Sequence, residues 1–214
     1  MPGAENHKLT WRLPAIPGGA SMSETVSLDT IRAGSSERSF PCDILPECQS
    51  GIAFFCAAFY GRNDVIHLFN HGVQDLWLND MDEEKLAVMG EVFGVEAQLL
   101  PGDSFTIAKN LREKGGSFDL VLCDPFTNLM KRTLVDEYEN FAGIACKWFV
   151  TGASGAMFAE LGIEPTAPAL TDWLRRQGHD DALVDRLVMR NSDYQNGVYW
   201  VVLKRPETLQ ERSG

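Results

Sequence analysis

The sequence predicts an α/β domain: a doubly wound, mostly parallel seven-stranded sheet with an antiparallel last strand and helices on both faces. Three observations carry that prediction. From Phe40 onward, short apolar runs alternate with amphipathic segments, the pattern of βαβ units around a parallel sheet. Polar turns with acids follow several of these runs directly, at Asn79-Asp80, Gly102-Asp103 and Asp124-Pro125. The last two apolar runs are joined by NSDYQNG, whose Asn, Asp and Gly suit a hairpin and turn the final strand antiparallel.

In order along the chain, residues 1–38 form an arm, 39–206 the folded domain and 207–214 a tail. Met1 to Ser21 is rich in Pro and Gly and reads as loose, with a short helix expected over Ser27 to Ala33. Phe40 to Leu45 (FPCDIL) is the candidate first strand, with Pro41 tolerable only at its start. Ile52 to Tyr60 then reads as an apolar helix stopped by Gly61. A second short helix carries Val65, Ile66 and Phe69 and stops at Gly72. Reading VIHLF as a strand is rejected, because too few residues would separate it from the next strand for a parallel crossover.

Asp75 to Asn79 is the second strand. The helix from Glu83 has acids in its first turn and Leu86, Met89 and Phe93 on one face. Val95 to Leu100 is the third strand, and Asp103 can cap the helix Ser104 to Lys114. Phe118 to Cys123 is the fourth strand, Leu134 to Ala145 a helix and Trp148 to Thr151 the fifth strand. A helix near Leu170 to Gln177 precedes the closing strands Leu183 to Met189 and Val198 to Leu203.

Bulk properties bound the function. At 214 residues the chain holds one sizeable core. No apolar run reaches the roughly 20 residues of a membrane helix, and no secretory signal pattern opens the chain. Five cysteines without a CxxC pair suit reduced thiols in a cytoplasmic protein. The formal charge of −11 argues against a broad electrostatic grip on nucleic acid, leaving Lys131 and Arg132 as first candidates for a local basic patch.

In an open α/β sheet, ligands lie beyond the carboxyl ends of the strands, near the point where strand order reverses. That rule nominates ECQSG (Glu47, Gln49, Ser50, Gly51), NDMD (Asp80, Met81), GDS (Asp103, Ser104) and DPF (Asp124, Pro125, Phe126). A carboxylate such as Asp80 can accept two hydrogen bonds from a diol. An acid or carbonyl after strand four can accept from an exocyclic amine while Phe126 stacks on the ring.

This order of features, over Phe40 to Lys204, resembles the class I S-adenosylmethionine-dependent methyltransferases. The resemblance implies that the loop Glu47, Gln49, Ser50 and Gly51 wraps the methionine part of the cofactor, with Glu47 able to receive its ammonium group. It places Asp80, with Met81 beside it, on the ribose and Asp103 and Ser104 at the adenine. It makes Asp124, Pro125 and Phe126 the methyl-transfer site. DPF followed by Thr127, together with NDMD and FVTG after strand five, is most similar to the tRNA guanine dimethyltransferases. The implied activity is methyl transfer from S-adenosylmethionine to a planar amino nitrogen, with RNA or DNA as leading acceptor and no metal. Because the sulfonium is already activated, catalysis there is mainly positioning.

Other readings stand beside these. Asp80, Asp82 and Asp103 can be helix caps, Asp124-Pro125 a strand-ending turn, and Gly51 a site of tight helix–strand packing. His67 and His71 have a metal-binding spacing, but no third ligand accompanies them. A small-molecule or protein acceptor stays open. A catalytically inactive binding or assembly subunit is the rival of different class, since ECQSG keeps one glycine of the family's GxGxG pattern. A nicotinamide-dependent oxidoreductase lacks its GxGxxG fingerprint and gives DPF no role.

Overall fold

The structure, a computed structural model, describes residues 9–12, 23–26, 40–56, 61–93, 97–123, 134–191 and 197–205. The expected helix over Ser27 to Ala33, the DPF loop, Lys131, Arg132 and the tail lie outside the described residues. Within the arm, β1 (Leu9–Arg12) and β2 (Ser23–Val26) pair as an antiparallel ribbon, so part of that segment is ordered as strand and not loose throughout.

The domain's sheet contains β3 (Ser50–Phe54), β4 (Asp75–Asp80), β5 (Ala97–Pro101), β6 (Phe118–Cys123), β7 (Ala145–Ser154), β8 (Val184–Asn191) and β9 (Val198–Lys204). Their order is β5-β4-β3-β6-β7-β9-β8, seven strands with β9 antiparallel to both neighbours. The doubly wound sheet with an antiparallel last strand is therefore as expected. Between the strands run α1 (Gly61–Asn70), α2 (Glu83–Phe93), α3 (Ser104–Glu113), α4 (Leu134–Phe141), α5 (Gly155–Leu161) and α6 (Ala167–Arg176).

The first strand departs from the expectation. FPCDIL is not a strand: Cys42–Glu47 forms a 3₁₀ turn containing Pro46, with Ile44 and Leu45 buried. Two prolines five positions apart remove the amide donors a ladder needs. The strand is instead SGIAF, Ser50–Phe54, where the sequence predicts a loop and the start of a helix. It pairs in parallel with β4 on one side and β6 on the other. Ile52 and Phe54 enter one core cluster and Ala53 the other, so successive side chains point to opposite, equally dry faces. Such a run carries no alternation, and periodicity cannot tell it from a buried helix.

Two cores flank the sheet. Val65, Ile66 and Leu68 of α1 and Leu86 and Met89 of α2 cover one face, joined by Phe40, Ile44 and Leu45 against Trp148, Trp200 and Val202. Ala108 of α3, Leu134, Tyr138 and Phe141 of α4, Phe158 of α5 and Leu170 and Leu174 of α6 cover the other. All five cysteines are free thiols. Burial pushes Cys48 up to about 12, which keeps it protonated at neutral pH. Among the described residues, no helix is long and apolar enough to cross a membrane.

At the amino edge of the sheet, Asp119 of β6 ties the first strand in place. Its carboxylate accepts the backbone N–H of Gln49 at 2.7 Å and of Ser50 at 3.3 Å, with Lys147 Nζ at 3.1 Å. Burial pushes this carboxyl up, but hydrogen bonds from Gln49, Lys147 and Ser50 together hold it below its ordinary value. A depressed folded pKa gives stability that is full above the unfolded value of about 3.9 and is lost as pH falls through the folded value. Below about pH 4, the urea midpoint of the wild type should fall more steeply than that of Asp119→Asn. Parallel pH profiles in equilibrium denaturation would remove this role.

Candidate active site

The strand order reverses between β3 and β6, so the crevice rule points to their carboxyl ends. Phe54 and Cys123 stand opposite each other there. Asp80 and Pro101 are register partners on β4 and β5, and Thr151 on β7 partners Cys123. The sheet thus brings the ends of five strands to one edge.

The β4–β5 corner is held by Asn79, a fully buried residue that sequence reasoning did not single out as a working part. Its amide nitrogen donates to the carbonyls of Leu100 at 2.7 Å and Gly102 at 3.0 Å. Its oxygen accepts the Ser104 hydroxyl at 2.5 Å. A buried amide with these bonds satisfied fixes the spacing between Asp80 and the start of α3. Gly102, at φ +128°, makes the turn between them, and its N–H donates to the Asp80 carbonyl at 3.0 Å.

The carboxylates divide into distinct roles. Asp82 caps α2: its Oδ1 accepts the Lys85 N–H at 3.0 Å, and its Oδ2 lies 2.6 Å from Lys85 Nζ. Hydrogen bonds from Lys85 lead the causes that hold the Asp82 carboxyl below its usual value. Asp80 does not cap that helix; its Oδ1 accepts the Asp82 N–H at 3.0 Å, and the side chain is half-buried at the edge. Met81 beside it is 67% exposed, an unusually open position for a large apolar side chain. Asp103 is the cap of α3, accepting from the N–H and hydroxyl of Thr106 at 2.9 and 2.8 Å. Ser104 is buried, with its hydroxyl committed to Asn79. Asp80, Met81, Asp103 and Ser104 therefore share one corner.

Glu47, Gln49, Ser50 and Gly51 are at the opposite edge, a correction that follows from the first strand. They precede and open β3, so they sit at its amino end. Glu47 Oε2 accepts Trp148 Nε1 at 3.1 Å, and its carbonyl accepts Lys147 Nζ at 2.7 Å. Gln49 and Ser50 donate to Asp119. A Cβ on Gly51 would meet Val73 Cγ1 at 3.2 Å, so this glycine serves close packing. The segment that does follow the first strand begins at Phe55 and has no glycine before Gly61.

Phe55 has φ +58°, a left-handed conformation rare for a bulky residue. It opens that segment next to the reversal point and packs at 6.1 Å from the rings of both Phe105 and Phe141. A strained residue at a crevice is a marker of function worth more than its position alone. Asp124, Pro125 and Phe126 lie outside the described residues; the described strand ends one residue earlier, at Cys123, buried and next to Thr151. His67 stacks on Phe40 at 5.1 Å within the core, and no group of three metal-ligating side chains occurs among the described residues.

No protein-family model matches the chain, and no curated protein matches it in sequence. Solved structures do match in fold. A candidate S-adenosylmethionine-dependent methyltransferase from Streptococcus mutans aligns over 95% of this chain and 57% of its own, at 12% identity and TM-score 0.57. A candidate methyltransferase complexed with SAH aligns over 86% of this chain and 52% of its own, at 14% identity and TM-score 0.56. An O-methyltransferase family protein from Burkholderia thailandensis aligns over 85% and 59%, at 12% identity and TM-score 0.52. The chain spans little more than half the length of these structures. Its sheet order and antiparallel closing strand give it the fold of the class I S-adenosylmethionine-dependent methyltransferases.

Proposed function

We propose that the chain is an S-adenosylmethionine-dependent methyltransferase acting on a planar amino nitrogen, with nucleic acid as the leading acceptor. The observation that carries the reading is the convergence of Asp80, Met81, Asp103 and Ser104 at one corner of the carboxyl edge, in a fold shared with a candidate methyltransferase complexed with SAH. The donor set there fits a nucleoside. The Asp80 carboxylate suits a ribose diol, and exposed Met81 offers an apolar surface to the base. Asp103 caps α3 beside them, and the buried Ser104 braces the corner through its bond to Asn79. When bound, the cofactor supplies an activated methyl group. This chain's residues orient the reactants: in the Asp124-Pro125-Phe126 motif, Asp124 accepts from the acceptor amine and Phe126 stacks on the ring.

The acceptor class rests on DPF resembling the tRNA guanine dimethyltransferases, and the charge of −11 confines any nucleic-acid contact to a local patch. The test uses radiolabelled S-adenosylmethionine with bulk RNA as acceptor. Asp124→Ala should lower turnover by about a hundredfold or more, with cofactor affinity within about twofold of wild type. Turnover surviving that change would overturn the catalytic assignment. A second reading, a non-catalytic binding subunit, is favoured by the absence of glycine between Phe55 and Tyr60.

A further inference from the structure

Phe55 is the one residue other than glycine with a positive φ among the described residues, at +58°. For an aromatic side chain that conformation is strained and persists only where its surroundings hold it. The ring supplies one hold, set edge-on at 6.1 Å from both Phe105 of α3 and Phe141 of α4. The backbone shows what the turn achieves. Phe54 is the register partner of Asn79, and the Cys56 N–H donates back to the carbonyl of that same Asn79 at 3.2 Å. An extended chain would carry this N–H further along β4. Asn79 is fully buried, its side chain bonded to Leu100, Gly102 and Ser104, and Asp80 follows it directly. Burial first, and the charge of Asp80 second, push the Cys56 thiol up, so the two groups stand close.

We infer that Phe55 is a positioning residue for the cofactor corner, acting through its left-handed backbone, an inference that rests on the reading of Asp80 given above. Its turn folds the end of β3 onto β4 and adds the Asn79 carbonyl to the bonds of the Asn79 side chain. One residue then fixes the end of β3, the end of β4 and the turn into α3 together. The ring serves as the anchor that keeps φ positive. Without it, a residue that resists the left-handed region relaxes to extended backbone and releases Cys56. The Asp80 carboxylate then loses its setting against a nucleoside diol.

Four replacements of the ring separate backbone from side chain, read by hydrogen–deuterium exchange at the Cys56 amide and by calorimetric titration of the full chain with S-adenosylmethionine. Glycine takes the left-handed region freely and asparagine readily, whereas alanine resists it and valine nearly forbids it. Phe55→Gly and Phe55→Asn should keep the Cys56 amide protected and bind within about threefold of wild type. In Phe55→Ala and Phe55→Val that amide should exchange about tenfold faster and the cofactor should bind about tenfold more weakly, with the amides of β6 and β7 unchanged. All four lose the packing of the ring, so a role confined to core stability predicts equal losses across them. Equal losses in a wild type that binds overturn the inference and leave the reading of Asp80 standing. A wild type that binds no S-adenosylmethionine overturns both. Should Phe55→Val fail to fold, the comparison of Phe55→Ala with Phe55→Gly decides in the same way.

Discussion

Replacing Arg190 by Met should lower the thermal midpoint by roughly 10 °C, from a loss of about 3–5 kcal/mol. Arg190 Nη2 lies 2.9 Å from Asp64 Oδ2, and the two side chains are only 8% and 1% exposed. The guanidinium also stacks 4.2 Å from the centroid of the fully buried Trp200. Removing the cation takes away the charge that faces the Asp64 carboxylate in the core, and the loss of that buried contact is the main cost. Asp64→Ala should do comparable damage by removing the carboxylate that faces the buried arginine. The double variant Asp64→Leu, Arg190→Met should recover most of the loss, because neither charge is then buried. Scanning calorimetry on the four proteins of this cycle checks the claim. Single variants within about 1 kcal/mol of wild type would mean that the pair is screened like a surface one. The pair also has a place in the site: it ties the first turn of α1, just after the strand-one segment, to the end of β8 in the closing hairpin.

Asp80→Ala should weaken S-adenosylmethionine binding by about a hundredfold or more. Two hydrogen bonds from a diol to a charged acceptor contribute about 1.5–3 kcal/mol each, and about 1.4 kcal/mol is a factor of ten in affinity. The fold should lose on the order of 1 kcal/mol, because the variant gives up the bond from the Asp82 N–H to Asp80 Oδ1. Asp82 still caps α2, and the Asp80 backbone carbonyl that accepts Gly102 remains in the variant. A melting midpoint lowered by only a few degrees with lost binding is thus the expected pairing. Asp82→Ala is the converse control, costing about 1 kcal/mol of helix cap while leaving affinity near wild type. Binding that is equally weak in both variants would point to a general disturbance of the corner.

Much of the fold was legible because the later strands are bracketed by polar turns and separated by amphipathic helices with clear stops. FDLVLC needed no more than its apolar run and the acid beyond it, and NSDYQNG placed the final strand antiparallel. The first strand was illegible for a physical reason. Ile52, Ala53 and Phe54 are dry on both faces, so they show no period, and FPCDIL offered an apolar decoy that the structure coils into a 3₁₀ turn between Pro41 and Pro46. That single error moved Glu47, Gln49, Ser50 and Gly51 to the wrong end of the sheet. The Asp80 corner was legible because chain order alone puts it after strand two. Asn79 was hidden by its neighbour, since a buried amide and an edge carboxylate look alike in a polar dipeptide. Phe55 was hidden because a left-handed phenylalanine has no signature in sequence.

Calorimetric titration of the full chain with S-adenosylmethionine and, separately, with NAD tests most directly whether the carboxyl edge is a methyl-donor site. Saturable one-to-one binding of S-adenosylmethionine, absent with NAD and abolished by Asp80→Ala, is the predicted result. Absence of binding by S-adenosylmethionine would contradict it. The segment opening at Phe55 would then belong to a methyltransferase fold that has given up its cofactor.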